Sequence, residues 1–100
     1  MREIDAQLLT KNIKEMCIEA NHYLSDDMKK VFDNARNNEK SPLGKQILEQ
    51  LDENLKIARE DMIPICQDTG MAVVFVKIGQ DVHITGANIE DAINEGVRQG

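Results

Sequence analysis

The sequence predicts an α+β fold, or a fragment of an α/β fold, in which three amphipathic helices precede a small sheet and a C-terminal helix. Three observations carry this expectation. Apolar residues recur at helical spacing in three stretches, Leu9 to Leu24, Met28 to Ala35 and Leu43 to Ala58, each the pattern of one helical face. The pattern then switches to an unbroken Val-rich run at 71–78, a length that suits a buried strand. Aromatic residues make up only 3% of the chain and Trp is absent, which favours a core of Leu, Ile, Val and Ala over an aromatic-rich β protein.

The first helix is predicted over about 4–24, with Leu9, Ile13, Met16, Cys17, Ala20 and Leu24 as its stripe. Ser25 is placed to accept a hydrogen bond from an orphan N–H of the next helix, and Asp26 and Asp27 suit its positive end. That second, short helix carries Met28, Val31, Phe32 and Ala35. After the polar connector Asn37-Asn38-Glu39-Lys40, Ser41 at the cap and Pro42 at the first helical position announce a third helix bearing Leu43, Ile47, Leu48, Leu51, Leu55 and Ala58. It is expected to stop near Asp61, because Pro64 biases Ile63 away from helical angles. The run 71–78 is expected as a buried strand, Gly79-Gln80-Asp81 as a turn and Val82-His83-Ile84 as a brief second strand broken by Gly86. Asn88 can cap a last helix presenting Ile89, Ala92, Ile93 and Val97. No internal repeat, low-complexity tract or linker interrupts the chain, so 1–100 is expected to be a single domain.

A 100-residue chain buries only about two thirds of the surface its unfolded form exposes, so the core should be modest. The formal net charge of −6 and pI near 4.8 argue against nucleic-acid binding, which needs clustered Lys and Arg. No apolar run approaches the roughly 20 residues that span a bilayer, and Arg2, Glu3 and Asp5 interrupt any signal peptide. A cytoplasmic protein without membrane partners is expected. Cys17 and Cys66 are the only two cysteines; a secreted domain this small would carry a denser disulfide framework, so both are read as reduced thiols or a metal ligand.

Chemistry concentrates at Ile63-Pro64-Ile65-Cys66-Gln67-Asp68-Thr69-Gly70, where a thiol, an amide, a carboxylate and a hydroxyl are consecutive between a helix and a strand. Loops held by rigid elements are where functional residues gather. Spacing alone leaves the alternative open that Cys66 is a small buried hydrophobe and Asp68 a turn-former bonding its own backbone. One cysteine is not an iron–sulfur site, which takes three or four thiolates.

The stretch 62–99, with Pro-Ile-Cys-Gln-Asp-Thr-Gly, then Met-Ala-Val-Val-Phe-Val, then Ile-Gly-Gln-Asp-Val-His-Ile and Asp-Ala-Ile-Asn-Glu-Gly-Val-Arg, closely resembles the alpha subunit of class I fumarate hydratase. The helices before it are compatible with that family but less diagnostic. The resemblance implies a 4Fe-4S cluster held by three cysteines, with one iron open to the substrate, and Cys66 matches the first ligand. Gln67 and Asp68 match positions facing the substrate. The amide would bond a carboxylate, and Asp68 is the candidate acid/base group, a role that needs its pKa raised by burial and a neighbouring anion. Thr69 would bond the loop's own backbone or the substrate, and Gly70 is conformational.

The resemblance further implies that the chain is the N-terminal fragment of a longer hydro-lyase interconverting fumarate and L-malate, inactive alone. It would be completed by a beta subunit or a C-terminal domain and oligomeric when whole. L(+)-tartrate dehydratase is the nearest alternative, with Gln67 leaning toward fumarate and malate. Cys17, on the apolar face of the first helix, reads as core packing. His83 reads as solvent-exposed, and His22 as a partner for a helix C-terminus. Two readings from other classes remain: a non-catalytic helical interaction module, and an aspartic protease, whose short signature Asp68-Thr69-Gly70 also spells. Three helices ahead of the triplet weigh against the protease.

Overall fold

The computed structural model describes residues 1–67 and 70–100; Asp68 and Thr69 lie outside the described residues. The elements run β1 (Arg2–Asp5), α1 (Ala6–His22), α2 (Asp26–Asn38), α3 (Pro42–Asp61), β2 (Val82–Thr85) and α4 (Ile89–Gln99). This is the α+β content expected, three helices, a small sheet and a closing helix, with one strand of the sheet lying ahead of the helices. The residues cluster into two compact units, Met1–Glu19 with Thr69–Gly100, and Ala20–Asp68.

In the first unit β1 and β2 form a parallel pair with Ile4 opposite Ile84. Residues 4 and 5 were expected to open the first helix, and they form a strand instead. The reason is tertiary: Ile4 gains an apolar cross-strand neighbour in Ile84, and Asp5 stops the helix from reaching back. Its Oδ1 accepts from the Gln7 N–H at 2.8 Å, as an N-terminal cap does. His83 is exposed between half-buried Val82 and Ile84, the alternation expected. Gly86 then turns the chain at φ 90°, a left-handed angle that glycine adopts without strain.

Helix α4 begins where expected, with Asn88 Oδ1 accepting from Glu90 N–H at 2.9 Å. Its Ala92 and Gly96 are buried, and on α1 so are Ala6 and Ile13. The approach is close because the α4 side chains there are small. A Cβ on Gly96 would lie 2.6 Å from Ile13 Cβ and 2.8 Å from the Thr10 carbonyl oxygen. The Thr10 hydroxyl donates to the Ala92 carbonyl at 2.8 Å, so each turn of this contact is either packed or hydrogen-bonded.

In the second unit, Ser25 precedes α2 but its side chain accepts no capping bond. The hydroxyl instead donates to Asp27, and this bond, with the Met28 N–H, holds the Asp27 carboxyl below its ordinary range. Ser41 does cap α3, accepting from Gly44 N–H at 3.3 Å, with Pro42 in the first turn. Arg36 on α2 reaches Asp52 on α3 at 2.8 Å and Asp33 at 3.0 Å. These groups are partly exposed, so each pair contributes at most about 1 kcal/mol. Helix α3 ends at Asp61, as expected, and Met62 follows in the left-handed conformation at φ 52°.

Two expectations about burial are corrected. The helix stripes are only partly covered: Met16, Met28, Val31, Leu43, Ile47 and Leu51 are exposed, and the buried hydrophobic residues among those described are Ala6, Ile13, Ala58 and Ala92. The run 71–78 is neither a strand nor buried. A strand needs a neighbour for its backbone groups, and the described sheet is β1 with β2 only.

Gly96→Ala should destabilise the chain. Overpacking typically costs about 1–3 kcal/mol against a helix-propensity gain of about 1 kcal/mol, and the change is read as a lower urea midpoint. A second outcome concerns Glu95, which accepts from Arg98 at 2.6 and 2.8 Å and from Gln99 at 2.9 Å. These bonds, Arg98 first, hold its pKa down from 4.5 to about 2. The folded value lies below the unfolded one, so the contribution is present above about pH 4.5 and is lost as pH falls to about 2. The stability difference between the native chain and Glu95→Gln should therefore close over that window, and should shrink in high salt.

Candidate functional site

The loop that leaves α3 is held by two asparagines. After Met62 reverses the chain, the Ile65 N–H donates to the Asn21 carbonyl at 2.6 Å. The Cys66 N–H donates to Asn54 Oδ1 at 3.2 Å, and the Gln67 side-chain amide donates to Asn21 Oδ1 at 3.2 Å. Asn21 sits in the last turns of α1 and Asn54 within α3, so a non-helical segment borrows its acceptors from two helices. Each bond contributes of order 1 kcal/mol. At the loop's entry, the Tyr23 hydroxyl lies 3.4 Å from Met62 Sδ.

Cys66 is exposed and not disulfide-bonded. With its backbone tied to Asn54, the residue presents its thiol at the surface, which sets aside the reading of Cys66 as a small buried hydrophobe. Gln67 is also exposed and adjacent to it, so these two predicted site residues come together. Asp68 and Thr69 lie outside the described residues. Cys17 is half-buried on α1, in keeping with packing: a Cβ placed on Gly100 would lie 2.7 Å from its own Cβ. His83 is exposed, and His22 closes the last turn of α1.

Asn21 and Asn54 carry the loop although neither stands out as a functional residue in the sequence. Asn54 does leave a signal: asparagine is unfavourable inside a helix because its amide seeks backbone partners, and here it finds the Cys66 N–H. An iron–sulfur cluster requires several thiolates. Cys66 offers one exposed thiol, and no group of three or more His, Cys, Asp or Glu able to hold a metal occurs among the described residues. A complete ligand set is not found among the described residues.

Two cavities lie elsewhere. One of about 240 Å³ in the second unit is lined by His22, Tyr23, Lys29, Phe32, Lys56 and Arg59 among others. The other, about 320 Å³ in the first unit, is lined by residues including Asp5, Thr10, Asp91 and Glu95. Neither includes Cys66 or Gln67.

Asn54→Ala should release the Cys66 amide. Loss of a bond worth about 1 kcal/mol corresponds to roughly fivefold faster hydrogen exchange at that position, read by NMR, with amides near Ala58 unchanged. Equal exchange in both proteins would mean that Asn54 does not hold the loop.

The family model described as Fumarate hydratase (Fumerase) matches residues 10–100. A protein of Methanocaldococcus jannaschii named "Putative L(+)-tartrate dehydratase subunit alpha" is 39% identical over 88 residues, a stretch that covers 87% of this chain and 31% of that protein. The chain thus spans about a third of the length of the curated relative it matches. No solved structure matches it at a significant level. No helix among the described residues is long and apolar enough to cross a membrane. A family match that takes in all of α2, α3, the Cys66 loop, β2 and α4 places the chain in the fumarate hydratase (Fumerase) family.

Proposed function

We propose that this chain is the N-terminal part of an iron–sulfur hydro-lyase that adds water to, or removes it from, a four-carbon dicarboxylate, with fumarate and L-malate as the pair. The observation that carries this reading is the exposed Cys66 thiol on a loop tied to two helices, within a stretch that belongs to the family. Cys66 would hold one iron of a 4Fe-4S cluster, the other ligands coming from a beta subunit or a C-terminal domain. When bound, the cluster supplies a Lewis acid toward the substrate's hydroxyl.

The chain's own residues have separate tasks. Dehydration breaks a C–O bond and removes a proton from the neighbouring carbon, so a base and a binding group for the carboxylates are both needed. Gln67 would donate its amide to a substrate carboxylate, exchanging its bond to Asn21 for one to the ligand. Asp68 would take the proton in dehydration and return it in hydration, and Thr69 would bond the substrate or steady the loop. Burial beside a dianion would raise the Asp68 pKa toward working pH. The chain alone would be inactive, and the complete enzyme oligomeric and cytoplasmic.

Tartrate is the second reading, favoured by the 39% identity to the M. jannaschii protein that bears that name. The two substrates differ by one hydroxyl, and a site that bonds a substrate hydroxyl can reject the analogue lacking it by about 10⁴-fold. The test is turnover of fumarate, L-malate and L(+)-tartrate by the complete, anaerobically reconstituted enzyme beside its Cys66→Ser and Asp68→Asn variants. Cys66→Ser should lose activity and cluster iron together. Asp68→Asn should keep the iron while turnover falls by about 10²–10⁴-fold, the usual worth of general acid–base catalysis. Full activity of Cys66→Ser would sink the assignment of the loop. Turnover of tartrate alone would select the second substrate.

A further inference from the structure

The segment 71–78, Met-Ala-Val-Val-Phe-Val-Lys-Ile, is apolar, carries one charge and is left uncovered by the fold. Its exposures alternate. Met71, Val73 and Phe75 are 86%, 66% and 94% exposed, whereas Val74, Val76 and Ile78 are 36%, 49% and 48% exposed. A period of two is that of a strand with two faces: the even face is half-covered and the odd face is bare. No hydrogen bond among the described residues involves its backbone. A β-branched run with free N–H and C=O groups is what a sheet accepts as a further strand, and left open it is a template for aggregation.

We propose that 71–78 is a docking strand, covered on its Met71, Val73 and Phe75 face and hydrogen-bonded along its backbone by an apolar β-layer from the remainder of the enzyme's own polypeptide. The inference rests on the reading of this chain as one part of a longer enzyme. The occupant follows from length: the chain spans 31% of its relative, so more than half of such a subunit is available to supply that layer. Pairing with a second copy would cover this strand only by leaving a further open edge, the geometry that grows into aggregates.

The experiment is hydrogen–deuterium exchange on the complete enzyme and on this 100-residue chain, read at 71–78. In the chain alone these amides should exchange as in an unstructured peptide at every protein concentration. In the complete enzyme they should slow by about a hundredfold or more. Phe75→Ser should leave the urea midpoint of the chain alone unchanged, because the ring touches little there, yet reduce protection of 71–78 in the complete enzyme at least tenfold. Rapid exchange in the complete enzyme would overturn the proposal. So would protection in the chain alone that grows with concentration, which would name a second copy as the occupant. Full protection in the Phe75→Ser enzyme would also overturn it. A complete enzyme with 71–78 protected but no hydro-lyase activity would support this inference while sinking the catalytic reading, so the two fail separately.

Discussion

A backbone N–H that leaves a helix must find an acceptor, and the candidate site is organised around how this chain meets that demand after α3. Pro64 prevents helical continuation and Met62 reverses the chain in a left-handed conformation, so the backbone N–H groups of Ile65 and Cys66 have no helical acceptor of their own. The Asn21 carbonyl accepts from the Ile65 N–H and Asn54 Oδ1 from the Cys66 N–H, while Asn21 Oδ1 accepts from the Gln67 side-chain amide. Each bond is small by itself. Together they hold Ile65, Cys66 and Gln67 against helices, with Cys66 and Gln67 both exposed.

The rest of the fold is economical in apolar burial. In the first unit the close approach of α4 to α1 depends on Gly96, where even one methyl group would meet Ile13 and the Thr10 carbonyl. Ala92 and Ala6 continue the same logic: small residues bring backbones together and leave little side-chain volume to bury. In the second unit Ala58 is the buried residue among those described, while Arg36 ties α2 to α3 across the surface. Many Leu, Ile, Val and Met residues of the helix stripes are consequently exposed, although they sit at the spacing that makes the helices amphipathic.

Local signals made most of the fold legible. Ser41 with Pro42, the stop at Asp61 and Asn88 as a cap each act within one helical turn, and each lies where the residues indicate. The failures share a cause. Ile4 joins a strand because Ile84 lies opposite it, and 71–78 forms no strand because no described segment pairs with its backbone. Neither fact is written in the residues themselves. Ser25 is a subtler case, since its hydroxyl had two local choices and donates to Asp27 where a cap would accept. At the candidate site, Cys66 and Gln67 are proposed from their motif. Asn21 and Asn54 are not, because their role appears only once α1, α3 and the loop are assembled.

The central claim is that Cys66 binds iron. It is tested most directly by alkylating the complete enzyme with iodoacetamide before and after anaerobic reconstitution with iron and sulfide, and following the Cys66 peptide by mass spectrometry. The exposed thiol should react readily in the metal-free enzyme, become protected on reconstitution, and react again once a chelator and oxygen destroy the cluster. A Cys66 that alkylates equally in all three states would contradict the account.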